Sequence, residues 1–123
     1  MQNQKSELGK FGEDFSVQYL ENHNYKILDR NYRLKFGELD IVAQKGKTVV
    51  FCEVKTRIKN DFASPEDNVN FKKQKKLIRL AELYLIKNKY PQNQEWQIDI
   101  ISIDVDRQSK KSEIRHLEQA IFY

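Results

Sequence analysis

The sequence predicts an α/β domain, a mixed sheet of about four or five strands flanked by helices in the chain order α-β-β-β-α-β. Two stretches with helical apolar spacing bracket three β-branched and aromatic stretches, and one alternating stretch follows the second helix. At 123 residues the chain has the length of a single domain, so one core and one site are expected to carry the whole function.

From Ser6 to about His23, Leu8, Phe11, Phe15 and Tyr19 recur at helical spacing, and Ser6 can cap the start. Gly9, Gly12 and Ser16 fall side by side on this helix, a strip of small residues on which another backbone can pack closely, with Glu13 at its border. Tyr25 to Leu34, Glu38 to Ala43 and Thr48 to Arg57 then read as three strands of a meander, separated by Gly37 and by QKGK. NDFASPEDN, with Pro65 and no convincing period, reads as a loop. Between about Asn68 and Asn88 a second helix is marked by Phe71, Leu77, Ile78, Ala81, Leu83, Tyr84 and Leu85, with Lys72, Lys75, Lys76 and Arg79 on the opposite face. Pro91 and its polar neighbours end that helix, WQIDIISIDVD alternates as a fourth strand, and Glu113 to Leu117 reads as a short edge strand after the turn-like RQSKKS. Trp96 and Tyr84 are expected in the core.

Lys and Arg number 22 against 18 Asp and Glu, a net charge of +4 that favours polyanionic partners. The sequence pI is about 9.1. The lone cysteine, Cys52, cannot form an internal disulfide and sits in an apolar strand, as suits a reducing compartment. No apolar run follows the first lysine and no stretch has membrane length, so a cytoplasmic location without a membrane partner is expected. Apolar residues make up 39%, enough for a core despite a mean hydropathy of −0.79. His23 and His116 lie far apart, no Cys/His spacing suggests zinc, and neither a glycine-rich phosphate loop nor a GxSxG elbow is present.

Chemistry is concentrated in GELD, Gly37 to Asp40, and EVK, Glu53 to Lys55, on consecutive predicted strands. Side chains alternate along a strand, so Glu53 and Lys55 share one face and Glu38 and Asp40 share one face. A hairpin turning at Gly46 sets Asp40 across from Glu53, with their Cβ atoms about 5 Å apart. Two such carboxylates repel unless a cation lies between them, and Mg2+ or Mn2+ prefers hard oxygen ligands completed by water and phosphate. Lys55 could then orient or deprotonate a water and offset charge building on a phosphodiester. A solvated sheet face with an ordinary ion pair is the plainer reading of a bare ExK tripeptide. Against it, VVFCEVK sets ionic groups into an otherwise apolar strand, where charges need a reason.

The combination of Asp40, Glu53 and Lys55 resembles the PD-(D/E)XK nuclease superfamily, the restriction-endonuclease-like fold shared with archaeal Holliday junction resolvases. Leu39 stands where that motif carries proline. A closer match is the YraN family, also called UPF0102, with GxxGE, RNxRxxxGEIDLI, VFVEVKxR, a Phe-x-x-Pro-Glu loop and a lysine-bearing helix. The corresponding segments here are Gly9 to Glu13, Arg30 to Val42, Val50 to Arg57, Phe62 to Glu66 and the helix carrying Lys73 and Gln74. Ser16 and Cys52 replace commoner alanine and valine. The resemblance implies that Asp40, Glu53 and Lys55 form a nuclease triad and that Glu13 is the glutamate that resolvase-like members add from their first helix.

The expected function is therefore Mg2+- or Mn2+-dependent hydrolysis of phosphodiester bonds, with DNA, branched DNA included, ahead of RNA. Asp40 and Glu53 would hold metal with support from Glu13. Lys72, Lys73, Gln74, Lys75, Lys76, Arg79 and Arg57 are the candidate nucleic-acid contacts. Each has a plainer reading: Glu13 as a surface helix residue, Gln74 as a buried structural amide, and the lysine stripe as a solvated face. A second view of binding places DNA along Lys59 to Pro65, with Phe62 as wedge. The rival function is a non-catalytic nucleic-acid-binding or adaptor module that keeps the nuclease fold, and a homodimeric partner stays open.

Overall fold

The computed structural model describes residues 6–59 and 70–121. The loop around Pro65, Phe62 to Glu66 and the expected helix start at Asn68 lie outside the described residues. Within them the order is α1 (Glu7–Asn22), β1 (Lys26–Leu34), β2 (Gly37–Lys45), β3 (Thr48–Ile58), α2 (Phe71–Lys87), β4 (Trp96–Val105) and β5 (Ser112–Ile121). The strands form one five-stranded sheet in chain order, as the sequence predicts for an α/β domain with a mixed sheet. All neighbours are antiparallel except β3 and β4, which run parallel from Val49↔Trp96 to Ile58↔Val105. A parallel pair needs a crossover, and α2 supplies it.

Ser6 caps α1 by accepting the Gly9 N–H at 3.0 Å, and Asn70 caps α2 by accepting the Lys73 N–H at 2.8 Å. The helices occupy opposite faces because the central strands are apolar on both. Ile41, Ala43, Val50, Cys52, Ile101 and Ile103 face Leu20 and Phe15 of α1. Val42, Val49, Phe51 and Ile98 face Leu77, Leu80, Ala81 and Tyr84 of α2. Phe51 lies on the α2 face, so strand alternation turns Glu53 and Lys55 to that face also.

The small-residue strip on α1 does what the sequence suggests. A side chain on Gly12 would overlap Thr56 of β3, so glycine alone lets the helix sit this close to the sheet. Ser16, fully buried, donates to the Gly12 carbonyl at 2.8 Å. Cys52 is buried as expected, and burial pushes its thiol well above the usual range, with the charges of Asp99 and Asp40 acting the same way. Tyr84 is buried and donates to Asp29 at 2.7 Å, while Trp96 packs against Phe51.

Three details differ from the sequence reading. Phe11, read with the apolar face of α1, is 43% exposed, because the face that α1 buries carries Gly12, Ser16 and Leu20. Phe71, counted there with the apolar face of α2, is 71% exposed, because it sits in the first turn, beyond the part of the helix that meets the sheet. The last strand is longer than Glu113 to Leu117: pairing with β4 extends it from Ser112 to Ile121, where Ile98↔Ile121 closes the ladder. Its side chains are mostly polar on one side, which hides an edge strand from hydropathy. Among the described residues, no helix is long and apolar enough to cross a membrane.

Candidate functional site

The β2–β3 ladder runs from Lys45↔Thr48 to Ile41↔Cys52. One step further this register sets Asp40 across from Glu53, as the hairpin argument expects. The ladder does not continue there. Instead the Asp40 carboxylate accepts the Val54 N–H at 3.0 Å, so a side chain holds β3 at the point where backbone pairing stops. Both carboxylates line an open cleft of roughly 880 Å3 on the α2 face.

One wall of the cleft is the tip of the β1–β2 hairpin, with Arg33, Lys35 and Phe36; the other is the start of α2, with Lys72, Lys73 and Lys76. The walls approach closely at Gly37, where an added Cβ would lie 2.9 Å from Lys76 Cε and 3.1 Å from a Leu80 methyl. Lys73 reaches across to the floor, its Nζ 2.8 Å from Glu53 Oε2.

Glu53 is 8% exposed, and its carboxyl is pushed above the ordinary carboxylate range, first by burial and then by the charge of Asp40. Lys73 and, more weakly, Lys55 oppose the shift. A buried carboxylate beside a second one, with an ammonium already drawn onto it, is a position where positive charge is stabilised. Asp40 and Glu53 thus provide two hard oxygen donors of the kind that suit Mg2+ or Mn2+. Among the described residues, no group of three or more His, Cys, Asp or Glu side chains converges as a metal site, so water and substrate oxygens would have to complete such a shell.

Glu13 is not among the residues lining the cleft. It is 2% exposed, and its Oε1 accepts from Asn31 Nδ2 at 2.7 Å and from Arg30 at 3.4 Å, while Arg30 also pairs with Asp14 at 2.6 Å. The surface-helix reading of Glu13 is therefore corrected: burial and the two β1 donors fix it inside the fold. Asn31 lies between Arg30↔Ile41 and Tyr32↔Leu39, the register position facing Asp40, and has a left-handed φ of 50°. Glu13 is thus bonded to the β1 residue that lies opposite Asp40 in the register.

The remaining candidates separate. Lys55 is half-buried on β3, near enough to act on Glu53 but outside the cleft lining. Arg57 pairs with Asp104 at 2.8 Å, across the β3–β4 ladder. Gln74 is half-buried and Lys75 lies over the Phe71 ring at 4.9 Å; neither lines the cleft. Arg79 stacks on Phe36, its guanidinium carbon 5.2 Å from the ring centroid. The lysine stripe is thus divided: Lys72 and Lys76 enter the cleft with Lys73, whereas Lys75 faces away from it.

Sequence reasoning missed Lys35, Phe36 and the use of Asn31. Arg33 stood only as a letter in a motif. A two-residue turn carries no periodicity, so nothing marks Lys35 and Phe36 except an aromatic beside a cation at a hairpin tip. Asn31 had one usable signal, since asparagine tolerates a left-handed backbone better than most residues.

Five sheet strands in this order, a parallel β3–β4 pair bridged by α2, and acidic residues where β2 and β3 part define an α/β domain with a mixed sheet flanked by two helices. The family model described as "Uncharacterised protein family UPF0102" matches residues 12–103, and the chain belongs to that family. A UPF0102 protein of Dictyoglomus turgidum is 44% identical over 91% of this chain and 92% of its own length. One from Alkaliphilus oremlandii is 42% identical over 92% and 96%. Among solved structures, Pyrococcus furiosus SfsA in complex with Ca2+ aligns with 94% of this chain and 62% of its own, at 14% identity and a TM-score of 0.37, too distant to bear on function.

Proposed function

We propose that this chain is a metal-dependent nuclease that hydrolyses phosphodiester bonds in DNA, branched DNA included. The observation that carries the reading is the juxtaposition of Asp40 and Glu53 at the floor of a cleft whose walls bear Arg33, Lys35, Lys72, Lys73 and Lys76. Cationic walls suit a phosphate backbone, and acidic oxygens at the floor suit a divalent ion.

In this reading Asp40 and Glu53 hold Mg2+ or Mn2+, which when bound polarises a phosphoryl oxygen and acidifies water. Lys55 orients the attacking water and offsets charge on the phosphorane-like transition state. Asp40 keeps its grip on Val54 N–H, tying the acidic pair to the strand that carries Lys55. Glu13, outside the cleft lining, supports the site indirectly by holding Asn31 of β1.

A second reading has its own support. Lys73 already neutralises Glu53, so the cleft can bind nucleic acid without metal, as a non-catalytic module would. A panel of linear, single-stranded and junction DNA with Mg2+ or Mn2+, comparing wild type with Asp40→Ala and with RNA as a control, separates the two. Metal-dependent cleavage that Asp40→Ala abolishes supports the nuclease, and binding without cleavage under every condition supports the module.

A further inference from the structure

The geometry points to an unpaired nucleic-acid strand, rather than a closed duplex, as the occupant of the cleft, with Phe36 as the platform on which one of its bases stacks. The inference rests on the nucleic-acid reading above and deepens it.

Two lysine side chains of α2 narrow the cleft. Lys73 meets Glu53 at 2.8 Å, and Gly37 takes up the Lys76 stem where the hairpin touches α2. A duplex presents its phosphates on the outside of a wide stacked cylinder with its bases turned inward, so at the rims it offers the cleft backbone charge and no base face. One strand, with rotatable phosphates and splayed bases, can enter.

The hairpin tip carries the second half of the argument. Phe36 is 37% exposed at the cleft mouth, where part of its ring is open to a ligand. Arg79 of α2 lies over the ring with its guanidinium carbon 5.2 Å from the centroid, a cation–π contact between hairpin and helix. Lys35 and Arg33 flank it. An aromatic ring set among cations beside a cationic groove is the general arrangement by which proteins hold single strands, with backbone charge neutralised and bases stacked irrespective of sequence.

The test uses fluorescence anisotropy in EDTA, so that cleavage plays no part, with a labelled oligo-dT strand and a blunt hairpin duplex of equal nucleotide count. Wild type is expected to bind the single strand more tightly. Phe36→Ala should weaken single-strand binding about tenfold, the scale of one lost base stack, while leaving duplex binding unchanged. Phe36→Trp should restore it. Equal or tighter binding of the blunt duplex would overturn the inference, as would unaltered binding by Phe36→Ala. Failure of Trp to restore would do the same, by assigning the loss to hairpin shape. The nuclease reading is scored separately, by metal-dependent cleavage in wild type and Asp40→Ala. Cleavage that survives alongside a duplex preference, or alongside no binding to either probe, sinks only the stacking inference, whereas no binding together with no metal-dependent cleavage sinks both.

Discussion

The ammonium of Lys73 lies 2.8 Å from Glu53 Oε2, so the most deeply placed acid of the cleft is matched by a cation from the helix above it. The two ends of that pair differ: Glu53 is rooted in a central strand and 9% exposed at its side chain, whereas the Lys73 side chain is 45% exposed on a long stem. A divalent ion and this lysine would compete for the same carboxylate.

Replacing Lys73 by Met should therefore act in opposite directions with and without metal. Without it, the variant loses a partly exposed ion pair and should be destabilised by about 1 kcal/mol. With Mn2+ present, the stabilisation gained on binding should exceed that of wild type, because no ammonium has to be displaced. Thermal melts with and without MnCl2 measure both. A smaller Mn2+ response in Lys73→Met would show that the lysine assists the ion instead of competing with it.

Asp40 offers a cleaner separation of charge from structure. Its carboxylate accepts the Val54 N–H, and an amide oxygen can do the same. Asp40→Asn should lose divalent-metal binding with little change in stability. Asp40→Ala should lose binding and a further 1–3 kcal/mol or so, since the half-buried Val54 N–H is left without its acceptor. Calorimetry with Mn2+ and urea unfolding together decide it, and undiminished Mn2+ binding by the asparagine variant would remove Asp40 from the metal site.

The Glu53 carboxyl is held above its ordinary range by burial and by Asp40. The folded chain then keeps this proton more tightly than the unfolded chain. In metal-free buffer its contribution to stability is present at pH below the ordinary carboxylate range and is lost as pH rises through the raised value. Glu53→Gln removes the titration, so the variant should gain stability relative to wild type between acid and neutral pH. Urea melts across that window test the sign. A wild type that gains relative to Glu53→Gln would mean that Lys73 outweighs burial.

Asp40 and Glu53 were legible in the sequence because a strand alternates with period 2 and the Gly46 turn fixes the register. Gly46 has φ 60°, and Lys45↔Thr48 closes the hairpin as that turn demands. The partner of Glu53 was not legible. A helical period groups Lys72, Lys75, Lys76 and Arg79, but which of them meets the cleft depends on where α2 crosses the sheet, and the close approach at Gly37 and Leu80 sets that. Lys73, one position off the stripe, became the residue nearest the floor. Phe36 escaped for a different reason: its role arises only from Arg79 on another element, 43 positions further along the chain.

Lys72 and Lys75 allow the division of the stripe to be tested within one helix. Both are exposed and three residues apart, so charge reversal at either costs little stability and changes net charge equally. Lys72 lines the cleft, whereas Lys75 lies over the Phe71 ring away from it. If nucleic acid runs through the cleft, Lys72→Glu should weaken binding and flatten the dependence of log affinity on log salt by the share of about one phosphate, roughly 0.7 for a single strand. Lys75→Glu should lower affinity only through the long-range field, which salt screens within about 10 Å at ordinary ionic strength. Titrations at several salt concentrations measure both slopes. Equal losses from the two reversals would mean that the whole outer face of α2 follows the backbone and that the cleft is not the path.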